Sequence, residues 1–427
     1  MLRGPKIISC PVYGLIDIAD VLPLVETKWF QALRYKIQLG LTSVVFPSAT
    51  HTRFAHCVGA YHATKKLADR WRKLGLINDA EEKALPVYAL LHDIGHPAFS
   101  HTVEDFCRVD DDVRTLELIR GPLRPIIEKL DVDFRLVESL ADHTNPLYLA
   151  VHDKNLGMEK LDYLQRDGQV TILSEPPGIN FLREHIYYVN GKLAIDQKVA
   201  GYAIDVMNFY MKMYKEVYFR KASVIAQRMF HKMVYHLILA KELNPEDLMD
   251  MTDHELIGLA CASRDPTVRL LYQHYRERRL FREAVVIRPE KFVEETRIAE
   301  KPIFVHGVSE DMMSQLILAK PLQTGAHGQL ENIEYELACY LQIPDSAVLV
   351  VPVFGPQRFV ATDVNVYGEN GQLHSLREMK PAHFLGMEEM AHSYMALRIC
   401  VQEEHRELVS SQAIAGSLGD QLFSLIY

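Results

Sequence analysis

The chain has no excess of positive charge, no long uninterrupted apolar run and no paired cysteine motif, and each absence removes a class of function. With a net charge of -9, an extended surface for duplex nucleic acid is not expected, although a local basic pocket for one nucleotide is compatible with that balance. Every apolar stretch meets a charge well before bilayer-spanning length, and the start Met1-Leu-Arg-Gly-Pro-Lys6 lacks a signal-peptide core. A cytoplasmic protein without a membrane segment is therefore expected. The six cysteines, at 10, 57, 107, 261, 339 and 400, form no CxxC pair and read as reduced thiols, with Cys57 a core residue. There is no internal repeat, low-complexity tract or Walker-type glycine loop. What remains is a chain of 427 residues, 48% of them hydrophobic, enough for a substantial core and for more than one domain.

Histidine carries the chemistry. His51-Thr-Arg53-Phe-Ala-His56 is followed, one helix later, by Leu91-His92-Asp93-Ile-Gly-His96-Pro-Ala-Phe-Ser-His101. Neutral imidazole beside carboxylate suits Fe, Mn, Co or Zn and leaves coordination positions open for water. A His-Asp dipeptide alone proves little, since His152-Asp153 is a second such pair without comparable surroundings in the sequence. Context separates them. Ala84, Val87, Tyr88 and Leu91 recur at helical spacing, with Pro86 expected in a first turn and Gly95 and Pro97 ending the run, which places His92 and Asp93 on a last turn. His92 and His96, four apart, can face one cavity if that helix continues. Ala60, Thr64, Leu67, Ala68 and Trp71 mark a second helix with His56 at its start and Arg53 one turn earlier.

From Lys28 to about Leu280 helical periodicity dominates. Ile186 to Ile195 interrupts it, with strand formers on both sides of Asn190-Gly191, a strong hairpin signal. Ala200 to Leu243 reads as long helix, and Arg276-Glu-Arg-Arg279 as a charged connection. Beyond it, Val348 to Phe354, Thr362 to Tyr367 and Leu397 to Val401 are strand candidates, with turn residues Gly368, Asn370 and Gly371 between the second and third. The expected fold is mainly α: a helical core over residues 1–280 with a small β-hairpin, and a smaller C-terminal α+β domain over 281–427.

The pattern resembles the HD-domain phosphohydrolases, in the branch of the deoxynucleoside triphosphate triphosphohydrolases and related bacterial HD proteins. The residues that carry it run in order from Cys10-Pro-Val-Tyr-Gly14 through Phe30 to Arg34, Gln38-Leu-Gly40, Phe46 to His56, His92 to His101 and Glu159-Lys160-Leu-Asp162-Tyr163-Leu-Gln-Arg166-Asp167, and more faintly Tyr214 to Lys221. The resemblance implies metal ligands His56, His92 and Asp93, with Glu159 fourth, where relatives normally have aspartate. It also implies Tyr163 against the sugar, Asp167 accepting from the 3′-hydroxyl, and Tyr218 near the nucleoside. Where relatives often show a His-Glu pair for proton transfer, this chain offers carboxylates, Asp111 among them. A homo-oligomer is implied as well.

The side chains suit that reading chemically. A bound transition metal generates hydroxide near neutral pH and neutralises a phosphoryl oxygen. His96 or His101 can protonate a leaving oxygen or bind phosphate. Arg53 and Lys160 can clamp a phosphate chain, with Mg accompanying it, though Arg53 has an alternative use in bracing a carboxylate. Glu159, Tyr163, Arg166 and Asp167 share one helix face, which can equally be a solvated charged face. The leading expectation is hydrolysis of a dNTP to nucleoside and triphosphate. Alternatives are a phosphatase or phosphodiesterase on another nucleotide or nucleic-acid end, a nucleotide-sensing module with little turnover, and a scaffold whose C-terminal domain recruits a partner.

Overall fold

The computed structural model describes residues 4–294, 303–322, 328–353, 362–368 and 371–414. The mainly helical expectation holds, with three small sheets added. Two long helices, Arg53–Lys73 and Asp79–Leu91, pack side by side and carry the histidine motifs. Ala60, Thr64, Leu67, Ala68 and Trp71 are all buried on the first helix, as their spacing demands. Helix Asp79–Leu91 begins earlier than the apolar pattern suggests, because Asn78 and Glu81 close a capping box. Pro86 thus lies inside the helix rather than in its first turn, and the helix stops at Leu91, with His92 as its cap.

The region 200–243 is not one helix. Ala200–Met213 passes into a π-helical turn, Tyr214–Tyr218, and a new helix runs Lys221–Leu239. Extra-wide turns of this kind recur at functional sites, and this one delivers Tyr214 and Tyr218 to a cavity.

The hairpin at Ile186–Val189 and Lys192–Asp196 forms as expected, with Asn190 at φ 51 and Gly191 at φ 77, the left-handed pair that a tight two-residue turn requires. Its second strand also pairs in parallel with Asn365–Tyr367, which continues into Leu373–Ser375. The turn residues Gly368 and Gly371 therefore serve that local hairpin before the Leu397–Val401 strand is reached; Asn370 lies outside the described residues, as does Phe354 at the end of the first strand candidate. Packing bridges residue 280. Val364, Val366, Phe384 and Met387 join the core of the N-terminal helices. The remaining sheet runs Phe304–Val308, Arg282–Pro289, Leu397–Val401, Val348–Val351. One face meets Met313, Leu316 and Leu337; the other presents Leu349, Val351 and Cys400 to Phe230 and Met233 of the Lys221–Leu239 helix. Covered on both faces, Val348–Val351 is fully buried, which is why it reads as an unbroken apolar run.

A buried ionic knot joins this sheet to the helical core. Arg228 donates to Glu331 and Glu334 at 2.9 and 2.8 Å and to the Val350 carbonyl, and Lys232 donates to Glu334 at 3.0 Å. Replacing Glu334, which is 0% exposed, by Ala removes the carboxylate that two buried cations share and is expected to cost about 3–5 kcal/mol in urea denaturation. Burial works against ionised Glu331, but His231 and Arg228 hold its pKa down to about 2 from 4.5. Its stabilising contribution is therefore fully present above pH 4.5 and lost as pH falls through 2, so Glu331→Gln is expected to flatten the acid limb of a stability-versus-pH curve.

Candidate metal centre and its cavity

A cavity of about 530 Å³ opens between the two histidine motifs, the Met158–Thr171 helix, the π turn and the C-terminal sheet. His56, His92 and Asp93 present ligand atoms within 4.8 Å of one another at its wall.

Their orientation is set from behind. His56 Nδ1 donates to Asp162 Oδ2 at 2.8 Å, and His92 Nδ1 donates to the Ala89 carbonyl at 2.8 Å. Both Nε2 atoms therefore turn unprotonated toward each other in the neutral rings, 3.2 Å apart. Asp93 Oδ1 and Glu159 Oε2 each lie 3.4 Å from His92 Nε2. A proton between the rings satisfies only the two nitrogens; a divalent cation would be held by His56, His92 and Asp93 together, with Glu159 Oε2 beside His92. The donor set, two imidazoles with carboxylates, fits a borderline transition metal.

The loop after His92 is held tightly. Gly95 is required, since a Cβ there would lie 2.3 Å from the Asp111 carbonyl, and its N–H bonds Thr115 Oγ1, which donates to the His92 carbonyl. Phe99 and Ser100 sit at φ 54 and 46, a left-handed pair of side-chain-bearing residues that costs on the order of 1–3 kcal/mol each. Asp253 accepts the Phe99 N–H at 2.7 Å, and buried Lys36, its pKa pushed down to about 8 by burial, donates to the His96 and Met249 carbonyls.

Charge follows burial and partners. Burial opposes ionisation of Asp93, but Arg53, then His92 and His96, hold its carboxyl well below the usual range. Burial lowers the His92 pKa, which keeps a lone pair available. His96 is pushed up to about 10 despite burial because Asp93 and Asp111 flank it, at 3.2 and 2.9 Å from Nε2.

The structure brings most of the expected residues to this cavity. His96, His101, Asp111, Tyr163, Asp167 and Tyr218 line it beside His56, His92, Asp93 and Glu159. Asp167 accepts from Tyr218 at 2.8 Å and from His51 Nε2 at 2.7 Å. Arg53 lines it too, but Nη1 donates to Asp93 and Nε to Ser100 Oγ at 2.7 Å, so its main use is bracing the carboxylate. Lys160 is a correction. Its ammonium bonds the Lys154 carbonyl and lies over the Tyr210 ring, 3.3 Å from the centroid, and it does not line the cavity. Arg166 likewise faces away, holding Asp162 at 2.8 Å.

Sequence reasoning missed two groups. Asp162 is one; its signal is Arg166 at i+4, marking a buried ion pair on the far side of the Glu159 helix. His152, set aside as a bare dipeptide, lines the cavity and binds Glu159 at 2.8 Å through Nδ1. Glu159 raises its pKa to about 9 against burial. Only the fold brings it there.

The HD domain family matches residues 53–163 and the HD associated region matches residues 182–312. An HD domain-containing protein of Acanthamoeba polyphaga mimivirus is 27% identical over 61% of this chain and 65% of its own. A deoxynucleoside triphosphate triphosphohydrolase SAMHD1 homologue of Dictyostelium discoideum is 24% identical over 66% of this chain and 60% of its own. The chain thus spans less than two thirds of the length of these relatives. A phosphohydrolase structure from Bacteroides thetaiotaomicron shares the fold, with a TM-score of 0.70 at 22% identity, over 93% of this chain and all of that one. No helix among the described residues is long and apolar enough to cross a membrane.

Removing the acceptor behind His56 frees its ring to adopt the other tautomer. Asp162→Ala is expected to weaken metal affinity by roughly 10–100-fold while His92→Ala abolishes it, measured by competition with a chromogenic chelator.

Proposed function

We infer that this chain, a member of the HD-domain phosphohydrolase superfamily, is a metal-dependent hydrolase of nucleotides that cleaves a dNTP to deoxynucleoside and tripolyphosphate. The observation that carries this reading is the convergence of four lone-pair donors, His56, His92, Asp93 and Glu159, on a cavity that also holds Tyr163, Asp167 and Tyr218. A divalent transition metal bound there supplies Lewis acidity toward a phosphoryl oxygen and lowers the pKa of coordinated water.

The chain's own groups supply the rest. His56 and His92 are locked by Asp162 and Ala89, so no reorganisation is needed on binding. Arg53 fixes Asp93 and keeps it ionised. Asp167 already accepts from His51 and Tyr218, but two carboxylate oxygens offer about four lone-pair sites, leaving room for a sugar hydroxyl. His101 is 76% exposed at the side chain, with Nδ1 bonded to the Glu104 carboxylate at 2.8 Å. On this reading its Nε2 protonates the departing O5′ as water adds to the α-phosphorus and the phosphorus–O5′ bond breaks. His96 gives Nε2 to Asp111 and serves as a fixed support rather than as the acid.

One observation favours a second reading, hydrolysis of a phosphomonoester or cyclic nucleotide. Lys160 is turned away and both arginines of the cavity wall are engaged, so no lysine or arginine side chain among the described residues is ready for a polyphosphate.

Incubation with individual dNTPs and Mn2+, followed by ion-exchange separation, distinguishes the two. Intact tripolyphosphate is expected, with turnover at least ~100-fold lower in His92→Ala; stepwise release of orthophosphate overturns the triphosphohydrolase reading. Lys160→Met is expected to leave KM within about 2-fold, since the ammonium touches Tyr210 and backbone rather than the cavity.

A further inference from the structure

The cavity reaches past the residues that the nucleotide reading uses. Its wall takes in Asp105 and Phe106, on the short Glu104–Phe106 turn, and His231 on the Lys221–Leu239 helix. None of the three has a task in binding the metal or in holding the sugar.

These side chains are nevertheless set against one another. The Phe106 and His231 rings lie 4.4 Å apart between centroids, tilted by 35°, which fixes the imidazole. Arg228 donates to His231 Nδ1 at 2.9 Å and is itself held by Glu331 and Glu334. His231 Nε2 therefore carries a proton in the neutral and in the charged ring alike. It lies 3.6 Å from Asp105 Oδ2. That is an ion-pair contact when the ring is charged, but it is beyond hydrogen-bonding distance in either state, so the proton can still be given to a ligand. Neither oxygen of Asp105 accepts a hydrogen bond among the described residues, although its side chain is only 23% exposed.

One donor thus stands beside two acceptors in a wall that a nucleobase can reach. Each of the four DNA bases has a donor next to an acceptor on its pairing edge, and so could use His231 and one oxygen of Asp105. Guanine alone has two adjacent donors, N1–H and the 2-amino group, beside an acceptor, O6. Only that edge occupies all three positions. The others leave a partly buried carboxylate oxygen without a partner, and unpaired groups of this kind are what make a polar site selective.

We propose that Asp105 and His231 select the base of the substrate as guanine, with His231 Nε2 donating to O6 and the two Asp105 oxygens accepting from N1–H and the 2-amino group. This rests on the nucleotide reading above and adds the base to it. Reading a free base by its pairing edge is the usual solution where no complementary strand is present.

The test compares bases on the full-length protein with Mn2+. Initial rates are measured for dGTP, dATP, dCTP, dTTP and dITP, whose hypoxanthine lacks only the 2-amino group of guanine. Binding of dGMP and dIMP is measured separately by calorimetry, which needs no turnover. A kcat/KM for dGTP ~10-fold above that for dITP and for each of the other three is expected, with a similar ratio between dGMP and dIMP affinities. Asp105→Asn turns one acceptor into a donor and is expected to bring the dGTP to dITP ratio close to one. Equal rates for dGTP and dITP in the wild-type protein overturn the base assignment and leave the hydrolase reading in place, with no variant required to fold. A ratio retained in Asp105→Asn overturns it as well. Tight dGMP and weak dIMP binding without hydrolysis of any dNTP supports the base assignment and overturns the triphosphohydrolase reading.

Discussion

Everything at this site depends on two imidazole rings being forbidden to turn. His56 and His92 each spend their Nδ1 proton on a fixed acceptor, Asp162 and the Ala89 carbonyl, and so turn their Nε2 atoms into one space 3.2 Å across. Two buried ring nitrogens at this distance need a proton or a cation between them, because burial removes the water that would otherwise serve each one. The persistence of this arrangement means that the surrounding packing over-determines it. The same constraint explains why Asp162 and Arg166 form a fully buried ion pair at the back of the ring: an acceptor that must not move is itself held by a guanidinium, which also contacts Cys10.

Close helix packing is the price of that rigidity. The Arg53–Lys73 and Met158–Thr171 helices approach at Gly59, where a Cβ would stand 2.2 Å from Asp162 Oδ1 and from Arg166 Nη2. A side chain at this position would push the acceptor away from His56. Gly95 performs the same service on the other side, where the turn after His92 meets the start of the Asp111–Arg120 helix. The two glycines thus let three chain segments, far apart in sequence, meet at side-chain bonding distance. The left-handed Phe99 and Ser100 belong to the same economy: the loop is strained, and Lys36, Asp253 and Arg53 hold it by its backbone and hydroxyl groups.

What could be read from the chain is what has a local cause. The helical stripe from Ala60 to Trp71, the Asn190-Gly191 hairpin and the Leu397–Val401 strand follow from side-chain period and turn chemistry, and each forms where expected. The motif residues reach one cavity because they cluster in short segments that the resemblance already ordered. The rest needed the tertiary fold. A π turn has no sequence period of its own, so 200–243 read as one helix. Lys160 follows Glu159 directly, and adjacent residues on a helix point about 100° apart; the charge that looked like a phosphate clamp lies over Tyr210 instead. His152 precedes the Glu159 helix by a turn and a loop, and nothing local predicts that the loop folds back on His92.

That loop changes what the glutamate can do. An aspartate at position 159 would reach less far; the added methylene lets the Glu159 carboxylate stand between His92, 3.4 Å away, and His152, 2.8 Å away, through the same oxygen. Glu159 is thereby shared between the donor cluster and an imidazole that burial would otherwise keep neutral but that Glu159 pushes up to about 9. The carboxylate approaches the cluster with part of its charge already compensated. A carboxylate so paired is a weaker donor than a lone aspartate, while His56, His92 and Asp93 keep the tighter mutual geometry. The geometry is that of three donor groups held close together and a fourth carboxylate tethered to an imidazole outside the set. Because the C-terminal sheet and its Arg228 knot form the far wall of the same cavity, that cavity is bounded by both halves of the chain.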